Sequence, residues 1–147
     1  MRRLLTGLVL LAAAPALAAP TVFVTSPEAV KLGRPFSEAT EVNGVLYLSG
    51  QIGAKPGEDK VVPGGLEAET HQIMANMAAV LAKRGLTHDD LFKCTVMLAD
   101  MKQWGDFNKV YVTYFKPGRF PSRSAFGTNG LALGAAVELE CWANTGK

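Results

Sequence analysis

The sequence predicts an α+β fold: a single mixed β-sheet with two helices packed on one face, in the order β-β-β-α-β-α-β-β. Three features carry that reading. Asn43-Gly44 is a two-residue hairpin signal between extended runs, two stretches have helical period with apolar faces, and the chain closes on a pair of strands, the last in strict alternation. The 147 residues suffice for one domain and leave little room for a second.

Val22-Phe23-Val24 reads as a short strand, and Pro27 to Pro35 as a loop broken at Gly33. Phe36 to Glu41 is extended, and Val45 to Ser49 returns beside it after the turn. Lys55 to Gly65, with two prolines and three glycines, is a surface loop. A helix from about Leu66 to Lys83 puts Leu66, Ile73, Met77, Val80 and Leu81 on one face, with Glu67, Glu69 and Lys83 expected mostly off it; Gly85 ends it. Thr87 caps a short turn through His88-Asp89-Asp90, whose acids suit a helix N-terminus. Phe92 to Leu98 is a strand with Cys94, Val96 and Leu98 on one side. The second helix carries Phe107, Val110, Tyr111, Tyr114 and Phe115 at helical spacing, and Pro117-Gly118 stops it. Ser122 to Gly127 and Ala135 to Ala143 are the closing strands, parted by Asn129-Gly130. Alternation in the last strand puts Val137, Leu139 and Cys141 under the helices and Glu138, Glu140 and Trp142 on the opposite face. Two helices cover only one face of the sheet. Trp142 beside small residues on the other points to a second subunit, so a homo-oligomer is expected.

Hydrophobic residues at 48% and charged residues at 19% exclude a disordered chain. Lys and Arg number 15 against 13 Asp and Glu; without Arg2 and Arg3 the formal charge is zero, which argues against a nucleic-acid partner. Met1-Arg2-Arg3, the apolar run Leu4 to Ala14 and the small-x-small pattern Ala16-Leu17-Ala18 have the layout of a secretory signal peptide cut after Ala18. The run falls short of the roughly 20 residues a spanning helix needs. The expected product is a single domain of residues 19–147, secreted (periplasmic in a Gram-negative host), with no membrane attachment after cleavage. Cys94 and Cys141 are an even pair that an oxidising compartment could join, although cysteines in apolar strand-like runs more often serve as small buried hydrophobes. With no Cys-x-x-Cys and no Cys/His cluster, no metal site is expected.

Arg123 opens its strand in Pro121-Ser122-Arg123-Ser124. If Phe126 packs under the helices, Arg123 projects on the side of Glu138. A guanidinium there grips a small carboxylate with a two-pronged hydrogen bond, and a neighbouring carboxylate positions or deprotonates a water. On pattern alone an interface salt bridge is the stronger reading of the pair. Glu140 shares the face and reads as structural, Trp142 as interface packing, Trp104, Tyr111 and Tyr114 as core or rim, and His71 as solvent-facing. Nothing places His88 near this site.

From about Pro35 to Ala143 the chain resembles the reactive-intermediate deaminase family, also called RidA/YjgF or L-PSP-like. The matching pieces, in family order, are Gly44-Val45-Leu46-Tyr47-Leu48-Ser49-Gly50-Gln51-Ile52, Gly64-Gly65-Leu66 and Val96-Met97-Leu98-Ala99-Asp100-Met101, followed by Asn108-Lys109-Val110-Tyr111, Pro121-Ser122-Arg123-Ser124 and Val137-Glu138-Leu139-Glu140. The resemblance implies a chorismate-mutase-like fold and a homotrimer with ligand clefts between subunits. It implies hydrolysis of 2-imino or 2-enamino acids to 2-oxo acids and ammonia, with no cofactor. Arg123 then binds the substrate carboxylate and Glu138 activates or orients the water, while Phe36, Ser49, Gly50, Asn108 and Ala125 fall on substrate-binding positions.

Three departures from the family pattern stand out. Gly33-Arg34-Pro35-Phe36-Ser37-Glu38 replaces the common Gly-Pro-Tyr-Ser-Gln, so Phe36 keeps an aromatic wall without its hydroxyl, and Glu38 puts a charge where an amide is usual. Ala125 stands where many members have cysteine. Export would separate the protein from cytoplasmic sources of enamines, leaving imines made outside, for example by an amino-acid oxidase or dehydrogenase. The alternative is a periplasmic protein that binds a small carboxylate, or acts as a holdase, without turnover.

Overall fold

The computed structural model describes residues 20–146; the expected signal peptide, residues 1–18, lies outside them. β1 (Val22–Val24) leads into a short helix, α1 (Pro27–Lys31), inside the stretch expected to be loop. Ser26 caps α1 by accepting a hydrogen bond from the Ala29 amide at 3.1 Å, and Pro27 opens its first turn, so the cap and proline outweigh the helix's shortness. β2 (Ala39–Val42) starts three residues later than expected and turns through Asn43 and Gly44 into β3 (Val45–Leu48). Both turn residues take positive φ, 50° and 78°, as the two-residue hairpin requires.

After β3 the chain makes a bulge. Tyr47 faces Trp142 and Gln51 faces Leu139, so three residues on one strand span two on the other. The short β4 (Gln51–Ile52) follows, and then α2 (Gly65–Ala82). A capping box between Thr87 and Asp90 forms the turn before β5 (Leu91–Leu98). α3 (Trp104–Tyr111) is shorter than its periodicity predicts, because the last turn tightens to 3-10 geometry over Val112–Tyr114. β6 (Ser122–Gly127) and β7 (Val137–Asn144) complete one sheet in the order β1-β2-β3-β7-β5-β6, with β4 extending the β3 side of β7. Every pairing is antiparallel except β5 with β6, which makes the sheet mixed.

The core lies between the sheet and the helices. Leu46, Leu48, Val96, Leu98, Val137 and Leu139 meet Ile73, Met74, Met77 and Leu81 from α2 and Phe107 and Tyr111 from α3. Each fully buried aliphatic side chain of this kind contributes about 1.5–3 kcal/mol. Glu69, expected off the apolar face of α2, is only 4% exposed. It stands three residues after Leu66 and four before Ile73, within the buried stripe, and its carboxylate accepts a hydrogen bond from the Ala136 amide at 2.8 Å. Cys94 and Cys141 also depart from the reading as separate small hydrophobes. They lie opposite each other on β5 and β7, fully buried, and are joined as a disulfide.

Candidate functional site

Glu138 leaves β7 on the face away from the helices, between the buried Val137 and Leu139. The bulge puts Gly50 directly beneath it. A Cβ at Gly50 would fall onto Glu138 Oε1 and within 3.0 Å of Cδ, so the absence of a side chain makes the seat for the carboxylate. Gly50 and Glu138 line a cleft of about 370 Å³ with Phe36, Ile52, Leu133 and Val80 among its apolar walls. Burial, and next the negative charge of Glu140, push the Glu138 carboxyl above its ordinary value. A carboxylate so placed holds its proton to higher pH and, once ionised, is a stronger base toward a nearby water.

Arg123 belongs to a separate cluster. Its guanidinium lies 4.7 Å from the Tyr111 ring centre and 5.4 Å from that of Phe107, and donates to Asn108 Oδ1 at 2.5 Å. All three partners come from α3. Burial pushes the Tyr111 phenol up to about 12 against the opposing pull of Arg123, so this ring stays neutral beside the cation. Arg123 forms no ion pair with a carboxylate among the described residues. With Ala125, Met101 and Trp104 it borders a hollow of about 260 Å³.

The two clusters lie on opposite faces of the sheet, which corrects the parity argument made from sequence. Because β6 runs parallel to β5, Arg123 and Ala125 stand beside Cys94 and Val96 and share their helix-side orientation. Phe126, expected under the helices, is 48% exposed on the other side. An edge strand covered at one end by α3 leaves its large apolar residue free to face outward.

The remaining expected residues divide between the clusters. Phe36 and Gly50 line the Glu138 cleft; Asn108 and Ala125 stand with Arg123. The Ser49 hydroxyl donates to the Ser37 carbonyl at 2.7 Å and ties β3 to the approach to β2. Glu38 borders the cleft, but Lys83 at 2.7 Å and the Ser26 hydroxyl at 3.1 Å hold its carboxylate, so the departure from amide to acid comes with its own counter-charge. His71, exposed as expected, contacts Tyr114 Oη at 2.6 Å, and His88 meets the Met74 carbonyl; neither borders a cluster.

Sequence reasoning missed four residues that shape these sites. Glu69 ties α2 to the residue just before β7 and so fixes where Glu138 emerges. Asn76 donates to the carbonyls of Ile52 and Ala54 and holds β4 along the cleft. Met101 lies over Gly127, whose Cβ would approach its Cγ to 2.9 Å. Leu133 borders the cleft from a left-handed backbone, φ 57°. A glycine inside a strand pattern marks a close approach, and that signal was readable at Gly127 and at Gly50. Nothing in the residue pattern flags Leu133. Among the described residues no group of three or more His, Cys, Asp or Glu is placed to hold a metal ion, and no helix is long and apolar enough to cross a membrane.

One sheet backed by two helices, with a carboxylate seated in a cleft on one face and, on the other, an arginine held by ring faces and in no ion pair among the described residues, defines a small α+β protein with two candidate recognition surfaces. Residues 26–145 match the family described as endoribonuclease L-PSP, and the chain belongs to that family. It is 38% identical over 112 residues to the 2-iminobutanoate/2-iminopropanoate deaminase of Mus musculus, covering 76% of this chain and 82% of the relative. It is 38% identical over 118 residues to a RutC family protein of Aquifex aeolicus, covering 80% and 94%. Among solved structures, a protein of unknown function of the conserved Rid family, YyfA from Yersinia pestis, matches with a TM-score of 0.78 and 34% identity over 85% of this chain and 99% of that one.

Proposed function

We propose that the protein hydrolyses reactive 2-imino acids, and their enamine tautomers, to 2-oxo acids and ammonia, in a site completed between copies of the chain. The observation that carries this reading is Arg123, held by Asn108 and two rings and paired with no carboxylate among the described residues. Its free donors fit a substrate carboxylate. The imine carbon next to that carboxylate is already electrophilic. Glu138 takes a proton from water as the oxygen bonds to that carbon, giving a carbinolamine. Glu138 hands that proton to the nitrogen, and the second proton of the water follows it from the carbinolamine hydroxyl, through Glu138, as the C–N bond breaks, so ammonia leaves and the carbon becomes the carbonyl of the 2-oxo acid. Positioning supplies most of the acceleration such a reaction needs.

Because the arginine and the glutamate face opposite sides of one sheet, the reading requires Arg123 of one copy to meet Glu138 of another. The uncovered face, where Trp142 contacts Tyr47 and Phe92, supports a ring of copies, with a homotrimer as the proposed assembly. The buried disulfide supports export to an oxidising compartment. The second reading, a non-catalytic protein that binds small carboxylates, is favoured by Phe36, which lines the cleft without a hydroxyl to offer.

The test is hydrolysis of imines freshly generated by an amino-acid oxidase, using protein from Ala19 onward. The wild type is expected to accelerate loss of the imine, and Arg123→Ala to lower kcat/KM on the order of 10–100-fold, the worth of hydrogen bonds to a charged group. An intact oligomer that never exceeds the uncatalysed rate, over a broad panel of imines, would put the deaminase reading behind the binding one, which a screen of small carboxylates against wild type and Arg123→Ala then tests.

A further inference from the structure

Residues 25–38 leave the sheet after β1 and return to it at β2 as a loop closed at its neck. Val24 and Ala39 face each other in the β1–β2 register, and both belong to the hydrophobic core. At the neck the Glu38 amide donates to the Val24 carbonyl at 2.9 Å, and the Ser26 hydroxyl donates to Glu38 Oε1 at 3.1 Å. Lys83, just past the end of α2, holds Glu38 Oε2 at 2.7 Å. Compact loops of about 6–16 residues with joined ends hold together through their own contacts.

Between the two ends, the hydrogen bonds of residues 27–36 all stay inside the loop. The Ala29 amide donates to Ser26 Oγ, and the Val30 amide to the Ser26 carbonyl. Leu32 donates to Glu28, Gly33 to Val30 and Arg34 to Ala29. Glu28, Lys31 and Arg34 enter no ion pair among the described residues. Ala29 is the one buried side chain of this stretch, and it lies outside the core cluster. A segment with so few buried contacts, and no hydrogen bond to the body, opens at low cost without unfolding the rest.

The same loop supplies part of the Glu138 cleft, through Glu28, Ala29, Leu32, Arg34 and Phe36. The lining from Gly50 to Ala54 is braced instead. Ile52 pairs with Glu138 itself, and Asn76 donates to the carbonyls of Ile52 and Ala54. The Gly53 carbonyl accepts from the Val62 amide at 2.7 Å, and Ala54 bridges to Val61. One part of the lining is thus fixed to the sheet and α2, and the other is held through its neck. Glu138 and Gly50 belong to the fixed part, so movement of the loop changes the surroundings of the carboxylate and leaves the carboxylate in place.

We propose that residues 25–38 are a movable wall of the Glu138 cleft, that Glu38 is a positioning residue which latches this wall through Lys83, and that substrate is held only while the wall is closed. The last clause rests on the deaminase reading. The two side chains of the latch are 20% and 36% exposed, and an ion pair that open to water is weak, which suits a latch that must release.

Hydrogen exchange and steady-state kinetics on the oligomer test this in the wild type, Glu38→Lys, Lys83→Glu and the charge-swapped double variant. In the wild type, the amides of residues 28–34 should exchange at least about tenfold faster than those of β7. Each single variant sets like charges against each other. It should speed exchange in the loop by about three- to tenfold, the loss of an exposed ion pair plus a repulsion of similar size, with β7 unchanged. KM should rise by up to the same factor, with kcat held within about twofold, because only the closed fraction of the protein changes. The swapped variant restores an attractive pair and should recover most of both effects, which a merely structural role for either side chain would not allow.

Loop amides that exchange as slowly as those of β7 in the wild-type oligomer overturn the proposal, because the loop is then part of the rigid body. Exchange unmoved in the single variants, or moved and not recovered in the swapped one, overturns Glu38 as the latch. Faster exchange with KM unchanged overturns the role of the wall in holding substrate. A wild type that turns over no imine overturns the deaminase reading, and exchange by itself then decides whether the wall moves.

Discussion

At the scale of single residues, the site depends on one missing side chain. Gly50 is not in the left-handed region, so alanine there meets no backbone objection. Its Cβ would land on the Glu138 carboxylate. Gly50→Ala is therefore expected to fold with a thermal midpoint near that of the wild type and to lose kcat/KM on the order of 10²-fold, the cost of misplacing a reacting group by about 1 Å. Steady-state kinetics beside a thermal melt separates the two effects. Glu140 acts on the same group at a distance. Its charge, after burial, raises the Glu138 pKa. If ionised Glu138 is the base, kcat/KM falls as pH drops through that raised value. Glu140→Gln removes the repulsion, lowers the pKa and shifts the acidic limb of the pH profile to lower pH. A limb that stays in place, or moves upward, would contradict the role given to Glu138.

At the scale of elements, the disulfide joins β5 to the strand that carries Glu138. Cys94 and Cys141 are 47 residues apart in sequence, and closing a loop of that length in the unfolded chain stabilises the fold by about 2–4 kcal/mol. Cys94→Ala with Cys141→Ala should lower unfolding stability by about that amount in a denaturant titration, and reductant should have no further effect on the double variant. Most elements were legible in the sequence because each rests on local chemistry. The Asn43-Gly44 turn, the apolar stripe of α2, the Thr87 cap and the alternation of β7 need no distant partner. The side on which Arg123 lies was not legible, because β6 is an edge strand whose orientation is set by parallel pairing to β5. Glu69 was misassigned for a related reason. A buried glutamate on an apolar stripe makes sense only once the Ala136 amide, 67 residues away, is in place. The disulfide likewise depended on register, which opposes Cys94 to Cys141 across neighbouring strands.

At the scale of the whole molecule, the account makes the single chain half an enzyme. Each copy carries an arginine cluster on one face of its sheet and a glutamate cleft on the other, and a site with both needs two copies in head-to-tail contact, which closes into a ring. Glu38 and Phe36 border the glutamate cleft and not the arginine hollow, so these two departures from the family pattern fall on one half alone. The most direct test mixes two impaired variants. Arg123→Ala retains the glutamate half and Glu138→Gln retains the arginine half. Unfolded together and reassembled in equal amounts, they should recover about a quarter of the wild-type imine hydrolysis, because random assortment in a ring gives that share of contacts both intact residues. Each variant reassembled alone should stay at or below about a tenth of the wild-type rate. A mixture no more active than its components, with mixed oligomers verified by mass, would show that the two residues do not meet across copies and would contradict the account at its centre.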